Sequence, residues 1–281
     1  METRKFKNLT YVKDEHSGIV TVAINRPEIK NALTITVILE LAWAVDAVKN
    51  DDSAKAMILT GTKPPDSSDP TKEAFSSGGY FDLTEYEALD EATKKEIDLT
   101  DLAQKKLCLN FWQLYKPVIA AINGLAIGGG ITIPLSCADL IYASEHAWAR
   151  FPFINLGLVP ELGSSFLLPR LLGFQRAKEI IFFGEDLSAD KLLALGLVNK
   201  VLPHDQLLPY AEKIATKLIP PKGAGLSVSR TKRVMHKPIV EAMSQAIDQE
   251  NEALNKSFAT TDFFEAIAAR QEKREPVFTG T

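Results

Sequence analysis

The chain has 281 residues, 46% of them apolar and 24% charged, with a formal net charge of −4. That is enough for one large α/β domain with a sizeable core, and the slight acidic excess argues against a nucleic-acid partner, which needs a concentrated basic surface. Two cysteines, Cys108 and Cys137, are too few for a disulfide framework and point to a reducing compartment, while Pro134, Asp139 and several glycines break the best candidate for a membrane span.

Ile19 to Asn25 alternates β-branched and small residues and stops at Arg26-Pro27, as a strand does at a turn. Thr34 is placed to cap a helix over Ile35 to Asn50, in which Val37, Leu41, Val45 and Val48 fall at helical spacing. A second strand, Ala56 to Gly61, completes a β-α-β opening and implies parallel pairing through a right-handed crossover. Thr62 to Glu73, TKPPDSSDPTKE, is polar and rich in proline, and is expected to be an exposed, mobile insertion closed by the Phe75 to Gly79 turn. The charged run Thr84 to Asp101 reads as a solvated helix, and Leu102 to Leu114 as an amphipathic helix ending before Lys116-Pro117.

Val118 to Ile122 is a short apolar strand of the kind buried on both faces. It runs into Asn123-Gly124 and the triplet Gly128-Gly129-Gly130, after which Ile131 to Ala138 should be helical. Asp139 to Ala143 is the next strand, followed by Ala147 to Phe151. Beyond Ser165 the periodicity becomes helical in three segments, closed by Gly173, Gly184 and Gly196 as C-caps, with Ser188 as an N-cap. A short strand over Leu197 to Val201 and a helix over Asp205 to Ile219 come next. A long helix with Met243, Ile247 and Leu254 on one stripe then precedes a last helix through Phe263, Phe264 and Ile267. No internal repeat is visible. The expected organisation is an α/β core over residues 1–200 and a helical C-terminal region over 201–281.

The glycine triplet fits neither the dinucleotide fingerprint nor the phosphate loop. A strand turning into a helix through glycines does leave unpaired N–H groups able to approach a ligand. Gly78-Gly79 forms a second such turn, and two turns can each donate one N–H to the same developing oxyanion; the alternative is that both are simply tight packing turns. Glu161 is the one carboxylate in an uncharged run, FPFINLGLVPELGSS. Its other reading is a glutamate favoured by a helix dipole in a first turn. His16, His146, His204 and His236 have no metal-ligand spacing and read as surface or core residues; Ser76 and Ser77 are not in a nucleophile elbow and read as turn residues. Arg26, Lys30 and Lys72 are loop cations, which are most often simply solvated.

The segments RPEIKNAL, FSSGG, VIAAINGLAIGGG, FPFINLGLVPELGSS and DFFEAIAARQEKREPVF resemble, in order and spacing, the crotonase superfamily of enoyl-CoA hydratases and isomerases. The resemblance implies the crotonase (ClpP/crotonase-like) α/β fold of repeated ββα units in two roughly perpendicular sheets. It also implies an acyl-CoA thioester substrate and a helical C-terminal region that assembles a homotrimer or dimer of trimers. It places the oxyanion hole at the N–H groups of Gly79 and Gly129 and substrate contacts at Lys30, Ala32, Ser77 and Gly128, with no cofactor, because coenzyme A is part of the substrate.

The chain departs from the family's hydratases at both of their catalytic glutamates, whose positions are Thr132 and Phe153 here, and Tyr80 replaces the aspartate usual after the first oxyanion residue. Glu161 instead matches the single catalytic glutamate of the peroxisomal-type Δ3,Δ2-enoyl-CoA isomerases. One carboxylate suffices for that reaction, removing a proton at C2 and delivering one at C4. Burial among Leu156, Leu158, Val159 and Leu162 should raise its pKa toward a useful range. The expected activity is the shift of a 3-enoyl-CoA double bond to the 2-trans position. Another crotonase-type lyase, hydrolase or secondary-metabolism enzyme, or a non-catalytic acyl-CoA-binding module, remains open. Neither METRKFKNLT nor the final TGT carries a recognisable targeting signal, so a cytoplasmic or peroxisomal location is expected.

Overall fold

The computed structural model describes residues 6–80 and 83–281. Residues 1–5, the start of the basic N-terminal stretch, and residues 81–82 lie outside it. β1 (Leu9–Lys13) and β2 (Ile19–Ile24) form an antiparallel pair. Then come α1 (Ile35–Asn50), β3 (Ala56–Gly61), β4 (Ala74–Ser76), the one-turn helices α2 (Thr84–Glu87) and α3 (Glu91–Lys94), and α4 (Lys105–Gln113). β5 (Val118–Ile122), β6 (Leu125–Ile127), α5 (Gly129–Cys137), β7 (Leu140–Ser144) and β8 (Trp148–Arg150) make up the centre. They are followed by α6 (Ser164–Leu172), α7 (Phe174–Phe183), β9 (Leu187–Ser188), α8 (Ala189–Ala194), β10 (Lys200–Leu202) and α9 (Leu207–Leu218). The chain ends in α10 (Gly225–His236), α11 (Val240–Ser257) and α12 (Thr261–Glu272).

Two sheets result, one in the order β1-β2-β3-β5-β7-β10 and one in the order β4-β6-β8-β9. β2 through β10 of the larger sheet pair in parallel, as the β-α-β opening requires. Each of β3, β5 and β7 is followed by a short strand of the smaller sheet and then by helix, so one ββα unit recurs although the sequence shows no repeat. The first unit is vestigial: after β2, only Leu33 bridges to Gly79 before α1 begins.

β5 is buried on both faces because both sides of the larger sheet are covered. Val118, Ala120 and Ile122 face the main core, whereas Ile119 and Ala121 pack with Leu207, Ala211 and Ala215 of α9. Thr34 caps α1 as expected, its side chain accepting from the Val37 N–H. Ser188 does the same for the Lys191 N–H of α8.

Several expectations are corrected. The run 84–101 is not one solvated helix: α2 and α3 are four residues each, and Glu85 is tied to Arg26 (2.5 Å) and Thr36 (2.5 Å). The insertion is exposed only as far as Lys72. Glu73 is buried and meets Asn123 Nδ2 at 2.8 Å and His204 Nε2 at 3.2 Å. The tail carries two helices, α10 and α11, where one was expected. β1 and β6 are strands that the periodicity does not announce, and the strand expected over Leu197 to Val201 is the shorter β10 at Lys200–Leu202.

An ion pair with a buried lysine fastens α10 to the sheet. Lys232 Nζ lies 2.8 Å from Asp139 Oδ2 and donates to the Lys116 carbonyl at 3.1 Å, while the same carboxylate oxygen accepts the Val118 N–H at 2.7 Å. Asp139→Ala strands a buried ammonium, and chemical denaturation should register a loss of about 3–5 kcal/mol.

Candidate active site

The site is built where the two glycine turns meet. β4 runs into Ser77-Gly78-Gly79, and β6 ends at Ile127 before Gly128 and α5. Gly78 has φ +86° and Gly128 φ +52° with ψ −120°, conformations that side chains disfavour. A Cβ on Gly78 would lie 2.4 Å from the Ile127 carbonyl oxygen, and one on Gly130 2.3 Å from that of Ser76. The turns therefore touch backbone to backbone.

Leu33 fixes the first turn from the other side: its N–H donates to the Gly78 carbonyl (2.8 Å) and its carbonyl accepts the Tyr80 N–H (3.2 Å). Tyr80 therefore leaves that turn intact. The bridge does not use the Gly79 N–H. Gly129 opens α5, so its N–H has no helical partner. Among the described residues neither N–H meets a protein acceptor, and both glycines line the same cavity of about 570 Å3.

Glu161 lies against this pair. A Cβ on Gly129 would stand 3.0 Å from Glu161 Oε1 and 2.6 Å from Leu33 Cδ1, so the absence of a side chain lets the carboxylate approach the amide. The turn carrying Glu161 is over-determined. Leu162 sits at φ +56°, rare for a branched residue. It is held there because its N–H donates to the Ala103 carbonyl (3.1 Å) and its own carbonyl accepts the Ser136 hydroxyl. The next N–H, that of Gly163, donates to Glu250 Oε2 at 2.7 Å.

Glu161 is half-buried, reached from solvent through the cavity it lines. No donor among the described residues meets its carboxylate. Loss of water around it is the main reason its pKa is pushed up to about 8, and the nearby Glu250 carboxylate pushes in the same direction. Burial in an apolar segment foretold the first cause. The second came from a residue that the sequence reading missed. Its signal was an acidic residue on the apolar stripe Met243, Ile247, Glu250, Leu254 of α11.

Lys30, Ser77 and Gly128 line the cavity beside the two turns; Ala32 is buried and does not. Lys30 and Ser77 are joined, since the Ser77 N–H donates to the Lys30 carbonyl at 2.9 Å. Thr132 is buried, with its hydroxyl donating to the Gly128 carbonyl at 3.2 Å, and Phe153 is a buried apolar wall residue. Neither position offers an acid or a base. Ile97, Leu99, Leu102, Leu254 and Phe258 add apolar surface to the lining, Glu96, Asp98 and Asp101 acidic groups, and Lys106 and Arg270 cations that the sequence reading did not single out. No helix of the described residues is long and apolar enough to cross a membrane.

Comparison with known proteins gives the same outline. The family model described as enoyl-CoA hydratase/isomerase matches residues 14–281. The short-chain-enoyl-CoA hydratase of Clostridium acetobutylicum is 31% identical over 264 residues, covering 94% of this chain and 95% of that protein. The trans-2-decenoyl-[acyl-carrier-protein] isomerase of Streptococcus mutans is 32% identical over 278 residues, covering 98% and 99%. Among solved structures, an enoyl-CoA hydratase/isomerase from Pseudoalteromonas atlantica superposes with a TM-score of 0.81 at 30% identity, covering 97% of this chain and 100% of that one. The crotonase fold is thereby shown.

The position of Glu161 has a measurable cost. A carboxyl whose ordinary pKa of 4.5 rises to about 8 in the folded chain keeps its proton there while the unfolded chain has lost it. Stability must therefore fall as pH climbs between those values, by up to about 1.4 kcal/mol per pH unit, and level off above. Glu161→Gln lacks this dependence. Its melting temperature should gain on that of the parent from pH 5 to pH 8, measured by calorimetry.

Proposed function

Since the chain belongs to the enoyl-CoA hydratase/isomerase family, we propose that it is a Δ3,Δ2-enoyl-CoA isomerase using Glu161 as its only proton carrier. The observation that supports this most is the placement of the Glu161 carboxylate against Gly129, with no second carboxylate at Thr132 or Phe153 to activate a water.

The thioester oxygen takes the N–H groups of Gly79 and Gly129. Each such donor typically contributes about 2.7–4 kcal/mol as negative charge builds on the oxygen. Glu161 removes a proton from C2, the electron pair delocalises into a dienolate, and the protonated Glu161 returns a proton at C4. One proton leaves and one arrives, so no cofactor is consumed; coenzyme A enters as part of the substrate. A base with a pKa near 8 suits the task better than an ordinary carboxylate, because it is stronger and still partly ionised at neutral pH. The apolar part of the lining accepts the acyl chain, and Lys30 lies at the same cavity for the coenzyme A portion.

Hydration is the second reading, favoured by the name of the Clostridium relative. It needs a positioned water between two acid-base groups, and the positions in question hold a hydroxyl bonded to its own helix and a phenyl ring. Assays with 3-enoyl and 2-enoyl thioesters separate the two. The expected result is formation of the conjugated 2-enoyl product without its hydration; hydration of the 2-enoyl thioester at a comparable rate would overturn the proposal.

Glu161→Gln should lower kcat by about 10²–10⁴-fold with acyl-CoA affinity near normal. Because the ionised form is the base, kcat/KM should rise about tenfold per pH unit below pH 8 and level off above it. Gly129→Ala places a methyl group 3.0 Å from Glu161 Oε1 and 2.6 Å from Leu33 Cδ1, crowding the carboxylate beside the glycine turn. Its kcat should fall by about 10²–10³-fold while circular dichroism stays native.

A further inference from the structure

We propose that Glu250 is a positioning residue for Glu161, which fixes the turn that carries the base and keeps a second negative charge beside it. The proposal rests on Glu161 being the base. Glu250 projects from the core-facing stripe of α11 and is 4% exposed. It accepts the Gly163 N–H at 2.7 Å, the Ser165 N–H at 2.9 Å and the Ser165 hydroxyl at 2.5 Å. All three partners donate, so the ionised carboxylate is the form they match. Among the described residues it has no cationic partner.

Those amides belong to the first turn of α6, where the helix dipole and unpaired N–H groups stabilise an anion. Glu161, just upstream, would otherwise be the anion to profit. In the fold its backbone carbonyl, not its carboxylate, meets that turn, accepting the Ser164 N–H at 2.9 Å and the Ser164 hydroxyl at 2.6 Å. Glu250, arriving from a helix 85 residues further along the chain, occupies the donors. Glu161 is left to ionise next to a like charge and without a hydrogen bond, which is how one of two neighbouring carboxyls comes to hold its proton near neutrality.

Glu96, Asp98, Asp101, Lys30, Lys106 and Arg270 share the cavity with Glu161, and the charged or titratable groups on the neighbouring helices have partners of their own. Lys105 of α4 meets Asp248 of α11 at 2.6 Å, Asp101 accepts the Lys105 N–H, and Arg170 of α6 lies over the Phe166 ring. Cys108 turns its thiol to the Leu162 carbonyl, and burial pushes the Cys137 thiol up.

The test is a pH titration of side-chain carboxyl carbons by NMR in glutamate-labelled protein, with Glu161 assigned through its loss in Glu161→Gln. In Glu250→Gln, which keeps shape and one acceptor oxygen but not the charge, the Glu161 midpoint should drop by about one pH unit or more. The rise of kcat/KM should move to the same lower pH. Glu250→Asp, which keeps the charge, should lose stability yet hold the midpoint near that of the parent. An unchanged Glu161 midpoint in Glu250→Gln overturns the proposal and leaves Glu250 a purely structural cap. If Glu250→Gln does not fold, the parent protein decides. Interacting carboxyls titrate together, so the Glu250 signal must inflect at the Glu161 midpoint, and a flat Glu250 signal overturns the proposal. A midpoint that drops in a protein without activity on 3-enoyl thioesters refutes the isomerase reading and leaves the role of Glu250 standing.

Discussion

Backbone-to-backbone contact between residues 76–79 and 127–130 is the constraint on which the site depends. Side chains at Gly78 or Gly130 would strike carbonyl oxygens at 2.4 and 2.3 Å, so the two turns approach only because those positions are bare. That approach aims two amides from different ββα units into one cavity. The geometry is held by the sheets, since β4 and β6 are paired neighbours. The donors are preorganised before any ligand arrives, which is where such a site derives its advantage over water.

The carboxylates divide the work through their surroundings. Glu250 sits on a helix N-terminus with three donors, and Glu161 sits on none. Both are largely removed from water, and burial raises both. Only Glu250 has hydrogen bonds that resist the shift, so the proton is left to Glu161. A dipole-favoured glutamate at the start of α6 does exist, but it is supplied by α11 across the core. The residue adjacent in sequence is the one kept away from the dipole.

The fold separates framework from wall. The ββα units and their parallel sheet place the glycine turns, while the cavity's far side comes from the irregular stretch 96–102 and from α11 and α12. Glu96 accepts the Trp43 Nε1–H at 2.8 Å, and Asp101 Oδ1 accepts from Asn251 Nδ2 at 2.9 Å. These contacts tie the charged run to α1 and α11, so a segment that looks solvated by composition forms a roof. Ile97, Leu99 and Leu102 line the cavity there together with the charged Glu96, Asp98 and Asp101.

Elements whose cause is local were legible in the sequence. α1 and its Thr34 cap, β3 and β5 stand where spacing and capping chemistry put them, because a cap or an apolar run acts within a few residues. The glycine turns and Glu161 were legible as chemistry for the same reason, and resemblance to a family joined them into one site. β6 and β10 were missed or misplaced because three-residue strands carry no period and exist only through their partners. Glu73 looked like the end of a solvated loop, and its partners Asn123 and His204 are 50 and 131 residues away. Glu250 was invisible as a site residue because its action on Glu161 runs through space from a helix whose packing no local pattern predicts. The sequence by itself determined which groups could do chemistry. The tertiary structure alone decided which of two neighbouring carboxyls keeps a proton, since hydrogen-bond donors and loss of water are set by neighbours distant in the chain.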